Sequence, residues 1–253
     1  MNRFYIGLHQ PSDAHHFTRC CIHIGRLLTR VKPLGCDELL IDSQAFRVLE
    51  LFGNHRLSPL AYALHAERIA RLCGHVVLVA QDYMCEDYIF AKRLEHTGVH
   101  FTVADHQRLT IARYDALHYH ASTRNLSVMP VLQGYSPNEY LSHIAQYGRR
   151  LLPGMWVGVG SVCKRNGDPS AIRDVLYTIS RARPDLRLHG FGVKRTALSS
   201  AIVRDYLYSA DSMAWSFAAR REGRNANSYH EAMAYDRIIS GGIDDLPMFR
   251  GAA

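Results

Sequence analysis

The sequence lacks the signatures of several protein classes. Its six cysteines form no C-x-x-C pair and no Cys/His metal spacing, which indicates buried thiols in a reducing, cytoplasmic setting. No apolar run reaches the length of a membrane span, and the N-terminal MNRFYIGLHQPSD carries no signal-peptide cleavage site. Neither G-x-G-x-x-G after the first strand nor G-x-x-x-x-G-K-[ST] occurs, which argues against dinucleotide and nucleoside-triphosphate sites.

Lysine is also scarce. Only four of the 30 basic residues are lysines, while the net charge is +7 and the pI is near 9.2. Arginine forks match phosphate oxygens and stack on bases, so this composition favours a nucleic-acid partner, although a basic enzyme of another kind remains open. A hydrophobic content of 47% in 253 residues predicts a large core, and we expect one domain over 1–253.

Short apolar runs alternate with longer segments of helical periodicity along the whole chain. Repeated units of this kind, with strands buried on both faces, predict a single-domain α/β protein with the fold of a (β/α)8 TIM-type barrel. The predicted strands are 3–9, 38–42, 76–80, 126–132, 156–159, 186–191 and 212–216. The predicted helices are 13–29, 59–72, 86–96, 103–120, 138–151, 169–182, 197–208 and 229–239.

Polar residues interrupt this apolar pattern at one place in each unit, where the strand ends. They are His9, Asp42–Ser43, Gln81–Asp82, Gln133–Gly134, Gly160–Ser161, Gly192 with Lys194, and Asp211. A single aspartate there is most often the N-cap of the next helix. Because every unit repeats the pattern, and because the strand ends of a barrel share one face, we expect these residues to form one site.

Two aspartates in one pocket can divide the work of breaking a glycosidic bond. One carboxylate attacks the anomeric carbon, and the other moves the proton of the leaving base. Asp42 and Asp211 are the candidates for this pair. Asp82 is suited to accept hydrogen bonds from the N–H edge of guanine, with Gln133 and a backbone N–H near Gly160 on its O6 side, and an aromatic ring stands close to Asp42 for stacking.

At these positions the chain resembles the queuine/archaeosine tRNA-guanine transglycosylase superfamily. Residues 42–46 (DSQAF) resemble its D-S-G-G-[FY]-Q element, and residues 131–134 (VLQG) resemble its I-V-Q-G-G strand end. Residues 158–162 (GVGSV) resemble G-G-L-[SA]-V-G, and residues 189–193 (HGFGV) resemble L-M-G-V-G. The motifs are short, but they occur in the family's order over residues 38–224, which makes the match specific.

The resemblance implies a role for each matching residue. Asp211 would be the nucleophile, and Asp42 the general acid/base. The implied substrate-binding residues are Ser43, Phe46, Asp82, Cys85, Gln133, Gly134, Gly160 and Ser161. The implied nucleic-acid-binding residues are Lys194, Arg195, Arg220, Arg221 and Arg224.

The chain also departs from the superfamily pattern. No cysteine follows Cys163, so the zinc-binding insertion that helps to dock tRNA is expected to be absent, and no metal or cofactor is predicted. Gln44 and Arg47 replace a glycine and a glutamine. Short zinc-less members with an H-G-F-G-V-K segment are the DpdA-like phage and bacterial proteins that insert 7-deazaguanines into DNA. The expected partners are therefore DNA and a base such as 7-cyano-7-deazaguanine, in the host cytoplasm if the protein is phage-encoded.

Three other functions remain open from the sequence. The same pocket would serve base exchange on tRNA, or base hydrolysis if water resolved the intermediate. A nucleic-acid-binding barrel without catalysis is a third alternative, although both aspartates are present. Metal catalysis is less favoured, because His15-His16 and His118-Tyr119-His120 show neither i,i+4 spacing nor a neighbouring carboxylate.

Overall fold

Parallel strands form the framework of the protein, seen in a computed structural model that describes residues 1–165 and 167–244. Every strand pairing is parallel, and the strand order is β5-β4-β3-β2-β1-β9-β8-β7-β6. The strands are β1 (Arg3–Gly7), β2 (Arg19–His23), β3 (Glu38–Asp42), β4 (His75–Val79), β5 (Ser127–Met129), β6 (Val131–Leu132), β7 (Trp156–Val159), β8 (Arg187–Gly190) and β9 (Ser209–Ser212).

Pro130 explains how this sheet closes. The strands at its two ends, β5 and β6, are consecutive in the chain and are separated only by this proline. Proline has no N–H to donate, so the ladder breaks there, but the Pro130 carbonyl still accepts from the Gly158 N–H at 2.9 Å. One strand therefore pairs with β4 through its first half and with β7 through its second half, and the predicted TIM-type barrel is confirmed.

Helices connect most of the strands and cover the barrel. They are α1 (Ala45–Phe52), α2 (Pro59–Ala70), α3 (Asp87–Thr97), α4 (Val103–Ser122), α5 (Pro137–Tyr147), α6 (Pro169–Ala182), α7 (Arg195–Leu198), α8 (Ala201–Tyr206), α9 (Ala214–Arg221) and α10 (Tyr229–Asp244). Helix α6 shows the sequence logic clearly. Asp168 accepts from the N–H groups of Ser170 and Ala171, Pro169 begins the helix, and its buried residues recur at helical spacing.

The prediction of a helix over residues 13–29 was wrong. The segment forms a 3-10 helix (Pro11–His16), strand β2 and a second 3-10 helix (Ile24–Arg26). Its apolar run, Cys20-Cys21-Ile22, is too short for periodicity to separate helix from strand. Pairing with β1 on one side and β3 on the other decides for strand.

The last strand lies earlier than predicted. Strand β9 covers Ser209–Ser212, and the segment predicted as strand over 212–216 mostly belongs to α9. Asp211 is therefore a residue within a strand, paired in register with Tyr5 of β1. This position fixes its backbone on both sides, since β8 pairs with the other edge of β9. The end of the expected domain, residues 245–253, lies outside the described residues.

Candidate active site

The carboxyl ends of the strands bring three aspartates to one end of the barrel. Asp42 is the last residue of β3, Asp82 lies in the segment after β4, and Asp211 belongs to β9. Their charges interact, because Asp211 raises the pKa of Asp42, and Asp42 in turn raises the pKa of Asp82. Three carboxyl groups from separated parts of the chain thus share one electrostatic environment.

Asp211 is held by two donors, one from the neighbouring strand β8 and one from the turn that follows it. Its carboxylate Oδ1 accepts from the Gly192 N–H at 3.0 Å and lies 3.2 Å from Nε2 of His189. The residue is 9% exposed, which leaves a small part of the side chain accessible at the open end. Its backbone carbonyl accepts from the Val193 N–H at 3.0 Å. The carboxylate therefore has a defined orientation before any substrate binds.

Asp42 is held by a turn that contains an unusual backbone conformation. Its Oδ1 accepts from the Gln44 N–H at 3.0 Å, and Gln44 has φ 63° and ψ 28°, in the left-handed region. This is the position at which the superfamily pattern has glycine, the residue that adopts this conformation without strain. Burial raises the pKa of Asp42 to about 6, against the lowering effect of the Gln44 hydrogen bond. A carboxyl with this pKa can hold and release a proton near neutral pH.

Asp82 and Gln133 face each other directly. The Gln133 side-chain amide donates to Oδ2 of Asp82, and the Ser43 hydroxyl donates to Oδ1 at 3.4 Å. The Ser161 hydroxyl donates to Oε1 of Gln133 at 3.2 Å, which fixes the orientation of the amide. Burial raises the pKa of Asp82 to about 7, while the Gln133 hydrogen bond lowers it. Together they form a polar surface with acceptors and donors in fixed places.

The Gln133 backbone is supported from behind by the neighbouring helices. Its N–H donates to Nδ1 of His143 at 2.8 Å, so the His143 ring is protonated at Nε2, which donates to the Gln107 carbonyl at 3.2 Å. The Gln107 amide donates to the Gln133 carbonyl at 2.8 Å. Both backbone polar groups of this buried residue are thus satisfied, and its side chain extends from a rigid base.

Gly160 leaves the space that the Gln133 side chain occupies. A Cβ at this position would overlap the Gln133 amide. The Gly160 N–H donates to the Leu132 carbonyl at 2.9 Å, and the Gly160 carbonyl accepts from the Tyr140 hydroxyl at 2.7 Å. Its own N–H is therefore engaged in the sheet. The next residue, Ser161, has φ 60°, a left-handed conformation that is uncommon outside glycine and that turns the chain at this point.

Phe46 lies on α1, at the edge of the site. Its ring packs against Tyr88 with centroids 6.1 Å apart, and the Lys164 ammonium lies 4.2 Å from the ring centroid. Lys164 also pairs with Glu86 at 3.4 Å. The face of the Phe46 ring is thus covered by the Lys164 ammonium, and its predicted stacking on a base stays a prediction.

Two other predicted residues have local structural roles. The Cys85 thiol is buried, and its Sγ lies 3.9 Å from the Tyr83 carbonyl. Burial raises the pKa of Cys85, so it stays protonated at neutral pH. Gly134 begins the turn into α5, and a Cβ there would lie 3.0 Å from Cβ of Glu139. Both residues line the wall that supports Asp82 and Gln133.

The five predicted nucleic-acid-binding residues follow β8 and β9, but they differ in their surroundings. Lys194 and Arg221 both lie over the exposed Phe217 ring, at 5.5 and 6.0 Å from its centroid. Arg220 is exposed at the end of α9, and Arg195 begins α7. Arg224 differs from these because it forms ion pairs with Glu222 and Glu231.

Two buried polar residues near the site were not predicted from the sequence. His189 is fully buried in β8, where an isolated histidine in an apolar strand resembles ordinary core. Glu86 is buried before α3, and one of its oxygens, Oε1, has no partner among the described residues. Its side chain also interacts with Ser161, which lowers its pKa against the larger raising effect of burial. The one sequence signal for His189 was its place near the end of a predicted strand, 186–191, that leads to the site.

Two cavities lie away from the residues of the candidate site. One of about 490 Å³ lies between α4 and α5 and is lined by Arg108, Asp115 and Arg150 among others. Another of about 330 Å³ lies among the amino ends of the strands, beside Arg3 and Glu38. We assign the site from the converging carboxylates, because barrel chemistry is located at the carboxyl ends of strands.

Neither a cluster of metal-binding side chains nor a membrane-spanning helix is found among the described residues. Among residues 1–165 and 167–244, no group of three or more His, Cys, Asp or Glu side chains is arranged to hold a metal ion. In the same part of the chain, no helix combines the length and the apolar character needed to cross a membrane.

Comparison with known protein families gives a match over nearly the whole chain. The model of the family DpdA, described as DeoxyPurine in DNA protein A, matches residues 1–251. The chain belongs to the DpdA family. No curated protein sequence matches it. The resemblance to the group that inserts 7-deazaguanines into DNA is thereby confirmed at the level of the family.

Membership of the DpdA family bears on the substrate and on the reaction class of the barrel. A deoxypurine-in-DNA family implies DNA as the substrate and suggests a transglycosylase. The family match also includes every residue of the site described above, from Asp42 to Asp211. The three aspartates and Gln133 are therefore parts of the DpdA region of the chain and do not belong to an added segment.

Proposed function

We propose that this DpdA-family protein exchanges a guanine base in DNA for a 7-deazaguanine, such as 7-cyano-7-deazaguanine. The observation that carries the proposal is the convergence of Asp42 and Asp211 at the open end of the barrel, beside the Asp82–Gln133 pair. Two carboxyl groups with separate surroundings suit a displacement at an anomeric carbon. The hydrogen-bonding pair beside them suits a base with both donor and acceptor groups.

The proposed chemistry has two balanced halves. Asp211 attacks C1′ of the deoxyribose, the C1′–N9 bond breaks with its electron pair on the base, and Asp42 supplies the proton that the leaving guanine takes up. The product is a covalent aspartyl-glycosyl intermediate. In the second half Asp42 removes the N9 proton of the incoming 7-deazaguanine, N9 attacks C1′, and the electron pair of the broken ester bond returns to Asp211.

The base would be recognised by the hydrogen-bonding side chains of Asp82, Gln133 and Ser161. Ionised Asp82 accepts from the N1–H and N2–H edge of a guanine-like base, and the Gln133 and Ser161 side chains lie toward O6. With the Gly160 N–H engaged in the sheet, a backbone donor to O6 would come from the turn at Ser161. Phe46 stacks on the base after Lys164 moves from its ring.

The DNA backbone would contact the basic residues around the open end. Lys194 and Arg195 follow β8, and Arg220 and Arg221 follow β9, the strand that carries Asp211. Arg26, which follows β2, adds a further charge close to His9, because burial lowers the pKa of His9 and Arg26 and Arg220 both lower it further. The target guanine has to leave the base stack to reach Asp211, which costs a few kcal/mol in a duplex and less in a single strand.

The test is an exchange assay with three nucleic acids and one inactive variant. Purified protein is incubated with 7-cyano-7-deazaguanine and duplex DNA, single-stranded DNA or tRNA, and nucleosides are identified by mass spectrometry. We expect the modified deoxynucleoside from DNA, and a denaturation-resistant protein–DNA adduct when the second base is withheld. Asp211→Asn, which keeps the shape of the side chain, should abolish both products without loss of fold.

Asp174→Asn is the matched control, since Asp174 lies exposed on α6 and, within the described part of the chain, pairs with its neighbour Arg173 alone. It should exchange base at the wild-type rate. Full exchange by Asp211→Asn would remove Asp211 from the mechanism. Modification of tRNA and never of DNA would instead support the tRNA alternative, and release of free guanine without insertion would support a hydrolase.

A further inference from the structure

A chain of buried hydrogen bonds leads to the carboxylate of Asp211. It begins at the indole of Trp156 in β7, passes through the Ser209 hydroxyl in β9 and the imidazole of His189 in β8, and ends at Asp211 Oδ1. Ser209 and Asp211 are two residues apart on one strand, so their side chains share a face. His189, which is 0% exposed, bridges them from the adjacent strand.

The direction of donation in this chain is determined from its two ends, because an indole N–H can only donate and a carboxylate oxygen accepts. The Trp156 N–H donates to the Ser209 oxygen at 2.7 Å. Among the described residues the other partner of this oxygen is Nδ1 of His189, 2.9 Å away, so the hydroxyl hydrogen is satisfied by donating there. His189 is therefore protonated at Nε2, which donates to Asp211 at 3.2 Å. The opposite tautomer would direct an Nε2 lone pair at a carboxylate oxygen.

Aromatic rings also restrain the plane of the imidazole. The Phe191 ring lies 4.8 Å from the His189 ring, and the Trp156 ring lies 5.6 Å from it, both in edge-on contact. Tyr5 of β1 approaches edge-on at 6.1 Å. The imidazole thus has little freedom to rotate, and its Nε2–H has one direction.

Both donors to the Asp211 side chain meet the same oxygen. His189 Nε2–H and the Gly192 N–H converge on Oδ1, and in the described part of the chain Oδ2 receives no hydrogen bond. We propose that His189, oriented by Ser209 and Trp156, is a positioning residue that holds Oδ1 of Asp211 so that Oδ2 is the attacking oxygen. This inference rests on the proposed function, in which Asp211 is the nucleophile.

The arrangement suits both halves of the exchange. The fixed Nε2–H of His189 orients the carboxylate through Oδ1 and leaves the lone pairs of Oδ2 available for attack. Once Oδ2 has bonded to C1′, Oδ1 is the carbonyl oxygen of the ester, and the same two donors stabilise the charge that returns when the C1′–Oδ2 bond breaks. No proton has to leave His189 at any step, so its role is distinct from that of Asp42.

The activity test compares variants that keep or remove the Nε2–H donor. His189→Phe fills the space without a donor, His189→Gln retains an N–H near Nε2, and Ser209→Ala releases the constraint on the tautomer. We expect His189→Phe to lower kcat by about 10²-fold, the order found when one charge-stabilising donor is lost. KM for DNA and for the base should not change, since His189 contacts neither. His189→Gln should recover part of the rate, and Ser209→Ala should lie between.

His106→Phe is the matched control, because His106 is another fully buried histidine, bonded to the Met84 carbonyl at 2.7 Å and outside the site. Equal rates for His189→Phe and His106→Phe, with wild type active, would overturn the inference alone. An inactive wild type would instead overturn the proposed function and the inference with it.

A second measurement does not need activity. Nitrogen NMR of histidine-labelled protein reports which ring nitrogen carries the proton. We expect His189 protonated at Nε2 and bare at Nδ1 in wild type, and a mixture of tautomers in Ser209→Ala. Protonation of His189 at Nδ1 alone in wild type would contradict the proposed chain of donors, even if Ser209→Ala failed to fold.

Discussion

At the scale of single residues, the three aspartates of the proposed site differ in their surroundings. Asp211 meets two donors, Asp42 meets one backbone N–H, and Asp82 meets the Gln133 amide and the Ser43 hydroxyl. Burial raises the pKa of Asp42 to about 6 and that of Asp82 to about 7. Chemically identical side chains thereby become candidates for a proton carrier and a base reader.

The first prediction concerns Asp42 as the acid. Asp42→Ala should lower the exchange rate by roughly 10²–10⁴-fold. In wild type, kcat/KM for DNA should fall as the pH rises above about 6, because the leaving guanine needs the protonated carboxyl. Asp42→Asn should lack this limb of the pH profile. A change in DNA affinity without any change in the chemical step would show that the role is assigned to the wrong residue.

The second prediction concerns the choice of base. Asp82→Ala should reduce the discrimination between guanine and adenine analogues. In wild type an adenine edge leaves the hydrogen-bonding groups of Asp82 and Gln133 unpaired, and this penalty against adenine is smaller once the Asp82 carboxylate is removed. In wild type, binding of a free 7-deazaguanine should strengthen as the pH rises through about 7, because the ionised carboxylate is the better acceptor. Calorimetry that finds equal affinity for wild type and Asp82→Ala would argue against this recognition.

The extent to which these residues were predictable differs from one to the next. Asp42, Asp82 and Gln133 each follow or end an apolar run, so barrel geometry was enough to bring them together. Asp211 lies within the polar strand SADS and before the strand predicted over 212–216, so its assignment depended on the resemblance to the superfamily. His189 could not be assigned in the same way. Its importance depends on the side-chain register of β8 against β9, and alternation within one strand does not reveal which neighbour it faces.

At the scale of elements, the local sequence predicted most of the barrel but not its irregular parts. Helix α6 has the predicted bounds, 169–182, because it has a capping aspartate, a proline at its start and a clear apolar face. Strand β2 was missed, since three apolar residues carry too little periodicity and its pairing partners are remote in sequence. The position of β9 was shifted because α9 begins with an apolar run that resembles a strand.

The third prediction concerns the turn after β7. Gly160→Ala should lower base binding and exchange while the barrel stays folded, because the added Cβ displaces the Gln133 amide from Asp82. Gly167→Ala, in the same connection between β7 and α6, adds a Cβ that meets no atom within 4 Å and should have little effect. Binding of the free base measured for both variants provides the comparison. Equal affinities would mean that Gln133 does not contact the base.

At the scale of the whole molecule, the net charge of +7 favours binding to the phosphates of DNA. Release of counterions makes such binding weaken with salt, by about 0.9 logarithmic units per phosphate contact for each tenfold rise in salt. The exposed basic groups near Asp211 lie on connections after β8 and β9, next to the site itself. In the proposed reaction, affinity for DNA and access to Asp211 therefore depend on the same face of the barrel.

The fourth prediction separates the arginines by their partners. Arg220→Ala and Arg221→Ala should each weaken DNA binding at every sequence and reduce the salt slope by about one. Arg224→Ala should have a smaller effect, because its guanidinium is already paired with Glu222 and Glu231. Salt titrations of a labelled single strand measure all three. Equal losses for the three variants would mean that the ion pairs of Arg224 open in the complex.

The fifth prediction concerns stability against pH. The pKa of Asp82 in the folded protein, about 7, lies above its ordinary value of 3.8, so the folded state binds more protons than the unfolded chain between these pH values. This carboxyl therefore stabilises the fold least at high pH, and its contribution is lost as the pH rises through about 7. Buried histidines such as His143, with a pKa lowered to about 3, act in the opposite direction below pH 6.5.

Comparison with a variant isolates the aspartate from the histidines. Asp82→Asn removes the titration but leaves the histidines unchanged, so its stability relative to wild type should rise between pH 5 and pH 7. The gain is about 1.4 kcal/mol for each pH unit crossed. Denaturant unfolding of wild type, Asp82→Asn and the exposed control Asp174→Asn at a series of pH values measures it. A difference that does not change with pH would mean that Asp82 ionises as easily in the folded protein as in water. Keeping this carboxylate charged would then not lower the free energy of unfolding.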